Sequence, residues 1–130
     1  MQDADAPPRK KWKVVIADDN RDAADALAIL MELDGHEVTV LPDGATALRA
    51  IENGRPDVVV LDIGMPELDG YEVARRVRER RSTSVALIAV TGWGKDEDKA
   101  RAFVAGFDHH LLKPVDPDEL SSLLQSLTVT

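Results

Sequence analysis

The sequence predicts an α/β domain in which five parallel strands form one sheet with helices packed on both faces. Three observations lead there. Five short apolar runs alternate with amphipathic stretches along the whole chain. The runs are rich in Val and Ile and polar on neither face, as strands buried on both sides require, while the stretches between them repeat apolar residues every three and four positions. A strict strand-helix alternation with right-handed crossovers closes only as a parallel sheet covered by helices.

The strands are expected at Val14 to Ala17, Val38 to Leu41, Val58 to Leu61, Ala86 to Val90 and, more weakly, His109 to Leu112. Ala24, Leu27, Ala28 and Met31 mark the first helix, and Ala47, Leu48 and Ile51 the second. Val73, Ala74 and Val77 mark the third, Ala100, Phe103 and Val104 the fourth, and Leu120, Leu123, Leu124 and Leu127 the last. The last helix has a start signal in Asp116, Pro117 and Glu119, a cap, a first-turn proline and a capping-box acid. Gly35, Gly54 and Gly106 stand where left-handed C-caps are wanted. Five units suggest the flavodoxin-like strand order 2-1-3-4-5. Residues 1–12 are expected to be a flexible tail or linker, leaving 13–130 as the domain.

A chain of 130 residues, 44% hydrophobic and 31% charged, has the size and balance of one soluble domain. No apolar run approaches the roughly 20 residues of a membrane span. The absence of cysteine excludes disulfides and thiolate metal sites, and with no apolar signal core at the start the expected location is cytoplasmic. A net charge of -8 argues against a nucleic-acid surface. The basic run from Arg75 to Arg81 falls where a helix ends, so it reads as charge complementing the helix dipole or as a partner patch.

Ligands of a doubly wound sheet bind beyond the carboxyl ends of its strands. There the sequence places Asp18, Asp19 and Asn20 after the first run and Asp62 after the third. Thr91, Gly92, Trp93 and Gly94 follow the fourth, and Lys113 and Pro114 the fifth. Three carboxylates on one patch repel one another unless a cation intervenes, and an all-oxygen donor set suits Mg²⁺. A carboxylate beside Mg²⁺, a hydroxyl and an ammonium is a phosphoryl-transfer constellation. With no Ser, Cys or His competing for the position, the nucleophile is a carboxylate and the product an aspartyl phosphate.

These residues resemble the receiver domain of two-component response regulators, the CheY-like family. The resemblance rests on Asp18-Asp19 and on Val-Val-Val-Leu-Asp62-Ile-Gly-Met-Pro-Glu-Leu-Asp-Gly. It also rests on Thr91 at the end of Ala-Val-Thr-Gly and on Lys113-Pro114. It implies that Asp62 is the phosphoacceptor and that Asp19, Asp62 and the Gly64 backbone carbonyl bind Mg²⁺, with Asp18 acting mainly through water. It further implies that Thr91 and Lys113 hold the phosphoryl group, that the Lys113-Pro114 bond is cis, and that the donor is a phosphohistidine of a sensor kinase or phosphotransfer domain. The output would be read on the face made by the fourth helix, fifth strand and fifth helix, in a monomer or weak dimer.

Two departures stand out. His110 occupies the place of the family's usual Tyr or Phe, so it is expected either to serve as the switch residue or to be a strand-end histidine without that role. His109, its neighbour, is expected to be structural. Gly64 and Trp93 replace side chains that often orient a hydrolytic water, which predicts a long-lived phosphoryl state; Trp93 would shield it, form a docking contact, or simply be an exposed loop aromatic. A haloacid-dehalogenase-type phosphatase fits poorly, because Asp62-Ile63-Gly64 lacks that class's second acid and the acidic pair precedes the nucleophile. A pseudo-receiver would have lost one of the acids, the threonine or the lysine. The context is either a free-standing regulator or a receiver from a hybrid sensor histidine kinase. The segment from Gly106 to Pro117 and the Pro- and charge-rich start lean toward the latter.

Overall fold

The apolar runs become strands because β-branched side chains suit a pleated surface covered on both sides. The computed structural model describes residues 10–80, 84–92 and 96–127. Its elements are β1 Lys13–Ala17, α1 Arg21–Leu33, β2 Glu37–Leu41, α2 Gly44–Gly54, β3 Val58–Asp62, α3 Gly70–Glu79, β4 Ala86–Thr91, α4 Asp96–Ala105, β5 His109–Leu112 and α5 Pro117–Ser126. All strand pairs are parallel, and the order is β2-β1-β3-β4-β5, as the sequence predicts.

Alternate residues of each strand feed two cores. Val15, Ala17, Val59, Leu61, Leu87 and Ala89 face α2, α3 and α4. Val14, Ile16, Val58, Val60, Ile88 and Val90 face α1 and α5. Every residue of β3 and β4 is buried, whereas β2 has none that is fully buried. That corrects the expectation for Val38 to Leu41: β2 is an edge strand with β1 as its single neighbour.

Four helices start on a side-chain cap: Asn20 for α1, Asp43 for α2, Asp69 for α3 and Asp116 for α5. Gly35 and Gly106 take positive φ after their helices, as expected. Gly54 does not; it stays helical, and Arg55 adopts the left-handed conformation instead, with φ 47°. Residues 1–9 of the expected tail lie outside the described residues, and the structure bears only on residues 10–12. Trp12 Nε1 donates to Leu124 O at 2.6 Å, and Lys10 and Gln125 exchange two hydrogen bonds of 2.9 Å. The Trp12 ring packs on the α1/α5 core, so the chain is fastened to α5 from Lys10 onward. No helix among the described residues is long and apolar enough to cross a membrane.

The arginine run is not uniform. Arg75 and Arg76 pair with Glu72 within α3, and Arg80 pairs with Glu52 of α2. Arg78 reaches further. It donates to Gly106 O and Val85 O, each at 3.0 Å, and pairs with Asp108 at 2.8 Å, fastening α3 to the chain between α4 and β5.

Candidate functional site

Asp62 and Thr91 are the last residues of the two most buried strands, and Lys113 follows directly on β5. The parallel register sets Asp62 opposite Val90 and Thr91 opposite Leu112, so all three lie along one edge of the sheet. Asp18 and Asp19 reach the same edge from the end of β1. The carboxylate oxygens of Asp18, Asp19 and Asp62 all lie within 4.8 Å of one another. The structure therefore brings Asp18, Asp19, Asp62, Thr91 and Lys113 to one edge, while Trp93 and Gly94 lie outside the described residues.

Asp62 is 4% exposed, and each of its oxygens has a partner. Oδ1 accepts the Gly64 N–H at 3.0 Å, and Oδ2 pairs with Lys113 Nζ at 2.8 Å. The loop after β3 is tied down to hold this geometry. Ile63 N–H donates to Val90 O, Gly70 N–H donates to Ile63 O, and Met65 is buried beneath. Gly70 is needed for that closure, because a Cβ there would stand 3.0 Å from Ile63 Cα and 3.1 Å from Asp62 O. At Gly64 a Cβ would lie 3.7 Å from Asp62 Oδ1, an ordinary contact, so glycine leaves that side of the carboxylate uncovered.

The electrostatics show a surplus of negative charge. Burial, opposed by the Asn20 N–H and reinforced by the charge of Asp62, pushes the Asp18 carboxyl up to about 6. For Lys113, burial works against the charged form, but the hydrogen bond and charge of Asp62 outweigh it, with Asp18 and Asp19 adding to them; the ammonium is held above its usual range. One ammonium against three carboxylates leaves room for a cation. The donors are oxygens, and Asp19 is exposed, as a metal that keeps several waters requires. The residues fit Mg²⁺.

Thr91, 3% exposed, has its Oγ1 3.0 Å from His110 Nε2. Burial first, and then the charge of Lys99, lower the His110 pKa, while Asp98 opposes them. The Lys113–Pro114 bond is cis, and Lys113 N–H donates to Thr91 O at 2.8 Å, so the turn carrying the lysine is anchored to the threonine's backbone. Asn20, which the sequence sets directly after the acidic pair, has no role assigned to it there. Its N–H donates to Asp18 Oδ1 at 2.8 Å while its side chain caps α1, so one residue positions the acidic pair and starts the helix. The signal was the cap residue directly after the two acids.

Residues 14–125 match the family model of the response regulator receiver domain. The chain is 40% identical over 113 residues to a 14.6 kDa protein encoded in the sodA1 3′ region of Leptolyngbya boryana, covering 86% of each chain. It is similar to the chemotaxis protein CheY4 of Vibrio cholerae, with a TM-score of 0.85 and 27% identity, covering 92% of this chain and 100% of that one. It is also similar to the receiver domain of the sensor histidine kinase PA1611 of Pseudomonas aeruginosa, solved with a magnesium ion coordinated in its active-site cleft. There the TM-score is 0.80 at 29% identity, over 89% of this chain and 96% of that one. The chain spans about half the length of the transcriptional regulators it matches, among them ycf27 of Galdieria sulphuraria, at 45% of that protein. This chain belongs to the response regulator receiver domain family of two-component signalling.

Proposed function

We propose that this chain is a phosphoacceptor receiver in which Asp62 takes a phosphoryl group from a phosphohistidine and thereby switches the face around α4 and β5. The carrying observation is the meeting of Asp18, Asp19 and Asp62 within 4.8 Å, with Lys113 bonded to Asp62. In the transfer an Asp62 oxygen forms the new P–O bond as the P–N bond breaks, and the imidazole nitrogen leaves with the electron pair. Asp19, Asp62 and the Gly64 carbonyl would hold Mg²⁺, with Asp18 acting through water, and the ion would supply charge neutralisation at the phosphoryl oxygens. Lys113 exchanges its bond to free Asp62 for one to the phosphoryl group, and the Thr91 hydroxyl donates to a second oxygen.

The donor's approach is supported by a cleft of about 440 Å³ between α1 and the start of α5. Its walls are apolar, with Ala23, Leu27, Leu30 and Val115, and Asp62 and Lys113 line it too. Such a slot suits a helix carrying the phosphohistidine of a kinase or phosphotransfer domain. On the output side Phe103, Val104 and Leu112 are exposed. The open flank at Gly64 gives no hydrogen-bonding side chain for a hydrolytic water, which supports a long phosphoryl lifetime. The relatives do not single out the hybrid-kinase origin leaned toward from the sequence: ycf27 is a probable transcriptional regulator, whereas the PA1611 receiver belongs to a sensor histidine kinase.

Intact mass after incubation with Mg²⁺ and acetyl phosphate tests the reading. The wild type gains one phosphate-sized increment and Asp62→Asn gains none. An increment in both proteins, or in neither, would sink it.

A further inference from the structure

The bond between Thr91 and His110 makes a demand on protons that a Tyr or Phe at this position would not make. A threonine hydroxyl has one proton and two acceptor sites, and a phosphoryl oxygen only accepts. If His110 Nε2 is bare, it accepts the Thr91 proton, and a phosphoryl group on Asp62 must compete for the same proton. If Nε2 carries a proton, the imidazole donates to Oγ1 and leaves the Thr91 proton for the phosphoryl oxygen. The resulting chain, Nε2–H to Oγ1–H to phosphoryl oxygen, has every group satisfied, and its two hydrogen bonds reinforce each other.

The strand register holds this arrangement. His110 lies opposite Ala89, two residues before Thr91, so both side chains project from the same face of adjacent strands. The imidazole is half-buried, with α4 on its other side contributing Asp98 and Lys99 as the charged groups felt there.

We propose that His110 is the positioning residue for Thr91, and that phosphorylation of Asp62 selects the imidazole form protonated at Nε2. This rests on the phosphoacceptor function proposed above and specifies how the site reports on its own state. The coupling is a hydrogen-bond relay rather than the inward rotation of an aromatic ring. By reciprocity, whatever favours the Nε2-protonated form also favours the phosphorylated state.

The test follows the ¹⁵N resonances of the His110 ring in the full chain, with Mg²⁺ and beryllofluoride as the phosphoryl mimic. The expected result is a protonated Nε2 and, at neutral pH, a bare Nδ1 in the beryllofluoride form. A bare Nε2 in that form overturns the proposal. Rates of phosphorylation by acetyl phosphate give a second readout. His110→Phe, which removes the imidazole contact to Oγ1, is expected to be slowed about fivefold, the equivalent of one net hydrogen bond. His110→Gln, whose amide nitrogen can replace Nε2–H, is expected within about twofold of wild type. Equal rates for the Phe and Gln variants overturn the proposal. Wild-type protein that takes up no phosphate overturns this inference and the function it rests on together. Normal uptake with a bare Nε2 overturns the relay alone.

Discussion

The β3–α3 unit and the α4–β5 unit differ in how firmly they are held, and under the function proposed above the difference separates where the chemistry would sit from where it would be reported. In β3 every residue is buried, and α3 buries Gly70, Val73, Ala74 and Val77 against it. In α4 the residue buried among those with described side chains is Ala102, while Phe103 is 63% and Val104 90% exposed. A nucleophile is best set on an element that does not move, so that the metal and lysine meet it in one geometry. A reporting surface has to be drawn from the lightly packed end of the stability range. Thr91 and His110 stand at the seam, one on the rigid strand β4 and the other on β5.

The largest expected effect strikes the rigid unit. Leu61 is fully buried one residue before Asp62, and Leu61→Ala should cost about 3 kcal/mol of folding stability. Urea denaturation would read this as a lower midpoint with an unchanged slope. A loss below about 1 kcal/mol would mean that β3 is less tightly enclosed than its burial indicates.

A smaller loss is expected from Arg78→Ala, which cuts the tie between the units. Arg78 holds Gly106 O, Val85 O and the Asp108 carboxylate, and Asp108 in turn accepts the Leu87 N–H. Charge-assisted bonds to a largely buried side chain place the cost at about 2 kcal/mol. Hydrogen exchange should show faster opening of α4 and β5 with α3 protected as before. Equal loosening of both would remove the distinction between the units.

Much of this arrangement is legible in the sequence, and what is not has identifiable causes. Strand positions follow from the apolar runs, and strand ends locate Asp18, Asp19, Asp62, Thr91 and Lys113, because the fold puts ligands there. Val38 to Leu41 looks like Val58 to Leu61 as a string, and only the sheet order makes one an edge and the other a centre. The Thr91–His110 bond depends on register, which places His110 diagonal to Thr91 across two strands. Arg78 is one arginine in a basic run; its role appears only when Asp108 arrives from 30 residues away. Trp12 likewise reads as part of a tail until α5 supplies the Leu124 carbonyl.

Removing charge from the site should help the metal-free protein and harm metal binding. Burial and the Asp62 charge raise Asp18 from an ordinary 3.8 to about 6, so between those values the folded state holds a proton that the unfolded chain has released. Stability of the metal-free protein from this group therefore falls as pH rises through that window. Asp18→Asn should raise the metal-free melting temperature at pH 7.5 and abolish most of the further rise given by millimolar Mg²⁺. In the wild type the Mg²⁺-dependent rise should shrink from pH 7.5 to pH 5, since a protonated Asp18 no longer serves the cation. An Mg²⁺ effect unchanged by both the substitution and the acid would remove Asp18 from the metal site.

The smallest effect should fall on the reporting surface. Val104 is almost fully exposed, so Val104→Ser should change stability by no more than about 0.5 kcal/mol. An exposed apolar side chain beside Phe103 gains energy only when a partner covers it. Acetyl phosphate labelling of Val104→Ser should thus match the wild type, while any phosphorylation-dependent self-association measured by sedimentation should weaken. If Val104→Ser instead lowered the labelling rate as His110→Phe is expected to, α4 would belong to the chemical unit, and the division between fixed nucleophile and movable reporter would have to be drawn beyond it.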